Sequence, residues 1–219
     1  MALNKLKFNS LNVTPSANEA IKFNSSANGF ETGSAGGSMK FIKKLTASSS
    51  GTLSFVDGSS DVVLDNTYKE YLFIFKNIHG ATEDAEFNFQ GSTDTGSNYN
   101  TTITSLAFQA NQTEGGSTYG PAYNTGWDLS ESTNFQTLFN NLDADNDECL
   151  NGFLSLFDPS STTFTKHFLS RIAGVTSADS AQDDYRAGYF NTTSAIDAIQ
   201  FKMSSGNIDA GTITLYGIN

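Results

Sequence analysis

The sequence predicts an all-β chain, an antiparallel β-sandwich of jelly-roll-like type preceded by an extended N-terminal arm, on three observations. Phe (18), Tyr (8) and Trp (1) supply much of the apolar bulk. Only 16% of residues are charged, and Ser, Thr, Asn and Gly fill most other polar positions, a composition of strands and turns rather than salt-bridged helices. Short apolar runs separated by turn residues recur at the spacing of sandwich or barrel strands. A length of 219 residues fits one such domain. Aromatic side chains burying about 150–250 Å² each furnish its core.

The arm is set apart by charge and by a repeat. Residues 1–44 carry six Lys against Glu19 and Glu31, a net of +4, so the overall −11 leaves −15 for residues 45–219. An acidic body repels nucleic acid and anionic membranes, whereas a basic arm seeks an acidic partner surface or is simply solvated. The segment Leu6-Lys7-Phe8-Asn9-Ser10 returns as Ile21-Lys22-Phe23-Asn24-Ser25. These five-residue pieces, separated by Thr14-Pro15-Ser16, read as two short strands that cannot bury a core alone and need a partner surface. Lys5, Lys7, Phe8, Lys22 and Phe23 are the partner-binding residues of this arm. The Gly/Ser-rich stretch 28–38 reads as a linker, giving an anchoring arm over 1–38 and a sandwich body over 39–219.

Within the body, strands are expected at 39–45, 52–56, 71–78, 86–90, 101–109, 150–157, 163–172, 196–203 and 212–218. In the strand at 163–172, Phe164, Phe168, Ser170 and Ile172 share one face while Thr165, His167, Leu169 and Arg171 share the other, the pattern of a half-solvated strand. The run Tyr71-Leu72-Phe73-Ile74-Phe75 is apolar on both faces, which fits either a strand central to two layers or one facing a neighbouring subunit. Asp158-Pro159-Ser160-Ser161 and Ser204-Ser205-Gly206-Asn207 mark turns and imply antiparallel hairpins. Stretches 93–100 and 110–135 read as surface loops. Phe135, Leu138, Phe139 and Leu142 fall at helical spacing and predict one helical turn over 134–141.

No residue set reads as a catalytic centre. The single Cys149 excludes an internal disulfide framework and, with only His79 and His167 beside it, a Cys/His zinc site. Neither His lies in a nucleophile signature and no G-x-S-x-G elbow occurs. Paired carboxylates for glycoside hydrolysis are not discriminating among 23 acidic residues. Asp143, Asp145 and Asp147 have the alternate spacing that opens a calcium loop, yet Glu148 stands where such a loop needs Gly and Leu154 where it needs Glu. They are weak metal candidates against the reading of an exposed acidic loop. Tyr119, Tyr123 and Trp127 form an aromatic loop suited to stacking on a pyranose or to a protein interface. Basic residues are too few and too concentrated in the arm for nucleic acid. No run of apolar residues spans a membrane, and the N-terminus lacks a signal peptide's apolar stretch.

Three segments carry a resemblance: the opening MALNKLKFNSLNVTPSANEAIKFNSSANGFET, the internal FDPSSTTFTKHF, and the ending YFNTTSAIDAIQFKMSSGNIDAGTITLYGIN. They resemble virion structural proteins of tailed phages that infect marine cyanobacteria, and the ending resembles the last hairpin of phage appendage and decoration proteins. The resemblance implies a non-enzymatic virion component, a capsid decoration or a fibre or tail appendage, assembled in the host cytoplasm. It implies a homo-oligomer, with a trimer favoured, held to other virion proteins by the arm and requiring no cofactor. The alternative is a carbohydrate-binding module of a phage adhesion device that recognises host-surface glycan through Tyr119, Tyr123 and Trp127.

Overall fold

The computed structural model describes residues 13–14, 19–33 and 37–219, and the chain divides into two units, Met1–Ser38 and Met39–Asn219. In the first unit, β1 (Ala20–Phe23) pairs antiparallel with β2 (Phe30–Gly33). Phe23 stacks on Phe30 with ring centroids 5.0 Å apart, and Lys22 pairs with Glu31 at 3.3 Å. The hairpin keeps Ile21, Phe23 and Phe30 exposed. A two-stranded ribbon has no interior in which to bury them. The partner of residues 20–23 is therefore 30–33 rather than the first copy of the repeat. Part of the expected 28–38 linker is a strand, because Phe30–Gly33 pairs residue for residue with β1. The first copy, with Lys5, Lys7 and Phe8, lies outside the described residues.

The body is antiparallel throughout and folds into two layers. One contains eight strands in the spatial order β3 (Met39–Thr46), β14 (Ile208–Ile218), β5 (Glu70–Gly80), β10 (Leu150–Phe157), β11 (Lys166–Thr176), β12 (Ser180–Phe190), β7 (Ile103–Thr113) and β8 (Thr118–Tyr123). The other contains β4 (Leu53–Val56), β13 (Ala198–Met203), β6 (Ala85–Ser92) and β9 (Gln136–Leu142). A pairing of Thr176 with Leu142 joins β11 to β9, so a single sheet folds over on itself. The predicted all-β antiparallel sandwich is the observed architecture.

Aromatic rings from both layers interlock between them. Phe201 of β13 contacts Phe73 at 5.4 Å and Phe75 at 5.3 Å on β5, Phe87 at 5.8 Å on β6, and Phe55 on β4. Phe89 extends the cluster to Phe168 and Phe190. The doubly apolar run on β5 divides accordingly. Tyr71, Phe73 and Phe75 enter the core, while Leu72 and Ile74 turn to the opposite face and stay partly exposed. On β11, Phe168, Ser170 and Ile172 face inward as expected, with Lys166 beside them. Phe164 does not join this face. Its N–H donates to Ser161 Oγ, which holds it in the turn before the strand, 68% exposed.

Between β7, β12 and β9 the interior is polar. Asp184 and Arg186 are 0% and 1% exposed and pair at 3.1 Å. Arg186 Nε donates to the Thr137 carbonyl at 2.9 Å, and its Nη1 donates to the Phe108 and Tyr185 carbonyls. Gln182 Nε2 donates to Asp184 at 2.8 Å and to Asn140, while Gln109 Nε2 donates to Gln182. Burial pushes the Asp184 carboxyl up and the Arg186 guanidinium down from their ordinary values, and the pairing opposes both shifts.

Three expectations about the body are corrected. The helical turn at 134–141 is strand β9, buried on both faces from Gln136 to Asn140. A doubly buried strand carries apolar residues at successive positions, and those at 135, 138, 139 and 142 coincide with helical spacing. The stretch 110–135 is not loop throughout, because β7 runs on to Thr113 and β8 pairs with it. The last two strands are not a hairpin: β13 lies between β4 and β6, whereas β14 lies between β3 and β5 in the other layer. Ser204–Asn207 is thus a crossing between layers, with Ser204 N–H donating to the Glu86 carbonyl and Ala81 N–H to that of Asn207.

Candidate assembly face

The eight-stranded layer is wider than the four strands that cover its inner face, and its outer face is apolar across most of its width. Strand register makes this explicit. One rung runs Phe41, Tyr216, Leu72, Ser155, Leu169, Ala187 and Leu106 over seven strands. Its only interruption is Ser155, whose hydroxyl donates to Glu70 Oε1 at 2.9 Å. The next rung runs Lys44, Thr214, Ile74, Phe153, Arg171, Tyr185, Phe108 and Tyr123 over all eight. Phe41, Leu106, Phe108, Tyr123, Phe153, Leu169 and Tyr185 are between 37% and 63% exposed. Scattered exposed apolar residues are ordinary, but a contiguous patch of this breadth is a mark of an interaction surface.

Arg171 is neutralised in place. Its Nε and Nη2 donate to the Asp183 carboxylate, at 3.1 and 2.8 Å to the nearest oxygens, and its guanidinium lies 5.0 Å from the Tyr185 ring centroid. The Tyr185 hydroxyl donates to the same carboxylate at 3.0 Å. The Asp183 hydrogen bond and charge raise the Arg171 pKa further. Two shallow depressions flank the ridge formed by Leu106, Ala187 and Leu169. One, of about 350 Å³, is lined by Phe157, His167 and Tyr189. The other, of about 340 Å³, is lined by Phe108, Phe153, Arg171 and Tyr185.

The aromatic loop residues are placed as follows. Tyr123 lies at the end of β8 on this face, edge-on to Phe108 at 5.5 Å, with its hydroxyl donating to Asp128. Tyr119 registers with Asn111 beyond a β-bulge and lines a separate depression with Gln112 and Asp183. Trp127 is half-buried, and its carbonyl accepts from Gln136 Nε2 at 2.8 Å. Tyr123 therefore belongs to the apolar face, while Tyr119 and Trp127 sit apart from it.

At the strand ends, the acidic residues group differently from their sequence spacing. Carboxylate oxygens of Asp143, Glu148 and Asp179 lie within 4.8 Å of one another, with Asp145 and Asp147 outside that set. Asp143 Oδ1 instead accepts the Asp145 N–H at 2.9 Å. Glu148 is pushed up to about 7, first by its hydrogen bond with Asp143 and then by burial, while Asp143 is lowered by the same bond. Asp179 had no sequence signal, since it lies over thirty positions downstream and arrives through the β11–β12 turn. The folded chain holds on Glu148 a proton that the unfolded chain releases near 4.5. This contribution to stability is full below that pH and is lost as pH rises through about 7. Glu148→Gln keeps a donor to Asp143, so relative to the parent its melting temperature should rise between pH 5 and pH 8. A difference between the two proteins that stays constant over this range would contradict the shared proton.

His79 Nε2 lies 3.1 Å from the Asp145 carbonyl and its Nδ1 3.7 Å from Asp209, at a strand end beside Cys149. His167 is on the outer face against Tyr189, with rings 5.8 Å apart. Comparison of the chain with protein-family models, curated proteins and solved structures gave no match.

Proposed function

We propose that the chain is a non-enzymatic structural component of a phage particle, a capsid decoration or a fibre- or tail-type appendage. Its N-terminal unit anchors it to other virion proteins, and its body meets protein through the apolar outer face. The observation that carries this reading is that face, with two rungs of mostly aromatic and aliphatic residues, whose charges are Lys44 at the edge strand and a charge-neutralised Arg171, on a body of net charge −12. An acidic surface keeps copies apart in solution, and an apolar face confines association to one place. The resemblance of the opening and closing segments to virion proteins points the same way. The hairpin β1–β2, with Phe23 and Phe30 exposed, fits an anchor that gains its partner surface on docking.

The test is deletion of residues 1–38. The expected product is a soluble body with unchanged β-type circular dichroism and melting that is missing from purified particles. Incorporation of the truncated chain at the normal copy number would overturn the anchoring role.

A further inference from the structure

We infer that the partner across the outer face is a second copy of this chain, the two bodies meeting face to face about a two-fold axis. The inference rests on the proposed reading of that face as an assembly surface and adds the identity and number of the partner. Three observations carry it.

The first is size. Eight strands at about 4.8 Å spacing span roughly 34 Å, the two rungs with their side chains cover about 13 Å along the strands, and Phe157, His167 and Tyr189 extend the patch over three middle strands, for an area of ~550 Å². A specific protein interface needs to bury about 1,000 Å² in total, or about 500 Å² from each partner. The face meets that need in a single contact, and leaves little over for a second, different neighbour.

The second is continuity. The apolar residues form one patch on one side of one layer, with Phe153, Leu169 and Ala187 near its middle, Phe41 at one end, and Leu106 and Tyr123 toward the other. A ring of three or more copies requires two complementary patches on each copy, whereas a two-fold pair requires one self-complementary patch. The ridge of Leu106 and Leu169 between two depressions has that form, with projections and hollows on the same surface. Two outer faces packed with their strands about 30° apart would interdigitate as sandwich layers do.

The third is charge. Two bodies of net −12 repel over most approaches, but the two rungs hold only Lys44 and Arg171, and Asp183 neutralises the latter. Arg and Tyr stacked and hydrogen-bonded in this way are the residue types that anchor interface centres. Because the acidic residues at 83–84, 143–148 and 179 lie in the turns at the strand ends, face-to-face contact does not press them together.

Sedimentation equilibrium of the full chain tests the inference. The parent should be a dimer at micromolar concentration. Leu169→Glu and, separately, Leu106→Glu place a charge on the exposed side of the sheet, where it disturbs the buried layer little. Each should weaken the dimer by at least about 100-fold, since the charge becomes buried on association, with circular dichroism and melting of the monomer retained. A parent that stays monomeric at about 100 µM, a trimer, or a dimer that survives both substitutions would each overturn the inference. A monomeric parent that still enters particles would overturn this inference alone and leave the proposed function standing.

Discussion

Replacing Phe201 with alanine should lower the stability of the body by about 3–5 kcal/mol, the cost of deleting a large buried ring and leaving its cavity. Phe201 is 0% exposed and contacts rings on both layers, including Phe73 and Phe75 on one side and Phe87 on its own. Its neighbours are rigid aromatic side chains on paired strands, so they cannot collapse into the space as flexible aliphatic ones would. Edge-to-face packing against Phe73 and Phe75 and stacking on Phe87 add to the loss. Urea denaturation should show a lower midpoint with an unchanged slope. A cost below about 1 kcal/mol would mean that the two layers are not held by this cluster.

A comparable loss, about 3–5 kcal/mol, is expected for Asp184→Ala. The substitution leaves Arg186 charged at 1% exposure, hydrogen-bonded only to carbonyl oxygens and with only the weaker field of Glu86 to offset it. It also removes an acceptor from Gln182. The cause is an uncompensated charge rather than the strength of the pair itself. The double change Asp184→Leu with Arg186→Met should therefore cost less than Asp184→Ala alone. Denaturation midpoints of the two variants measure this directly, and a double variant less stable than the single one would show that the pair contributes net stability.

Much of the fold was legible because most strands obey the alternation of a sheet with one wet face. β10 and β11 were delimited by the Asp158-Pro159 turn, and β5 by its dense apolar run. β12 was not legible, because its pattern is inverted. Gln182, Asp184 and Arg186 point inward, while Tyr185, Ala187 and Tyr189 point outward. Hydrophobicity alone cannot register a strand whose inner face is polar, since the stabilising partners come from distant strands. β8 was hidden by Gly120-Pro121, which reads as a turn. It forms nonetheless because β8 is an edge strand, where Pro need not donate to a neighbour. The failure at β13 and β14 has another origin. A short Ser/Gly/Asn connection between two strands signals a reversal, but whether the second strand returns to its neighbour or crosses to the other layer depends on pairings with β3, β5, β4 and β6 that no local feature encodes.

The candidate face was legible only in fragments. The apolar outer residues Leu72 and Ile74 were visible in the β5 run, and Tyr123 in its loop. Their union with Phe153, Leu169, Leu106 and Phe41 needed the register of eight strands. The acidic group behaves alike: Asp143 was apparent from spacing, but Glu148 and Asp179 replace Asp145 and Asp147 around it because turns between different strand pairs meet there.

The central claim is that the outer face of the eight-stranded layer is covered by protein in the assembled state. A reconstruction of purified particles that contain this chain tests it most directly. The account predicts protein density against Leu169, Phe153 and Leu106, with the N-terminal unit in contact with the particle. Particles in which every copy leaves that face open to solvent would contradict it.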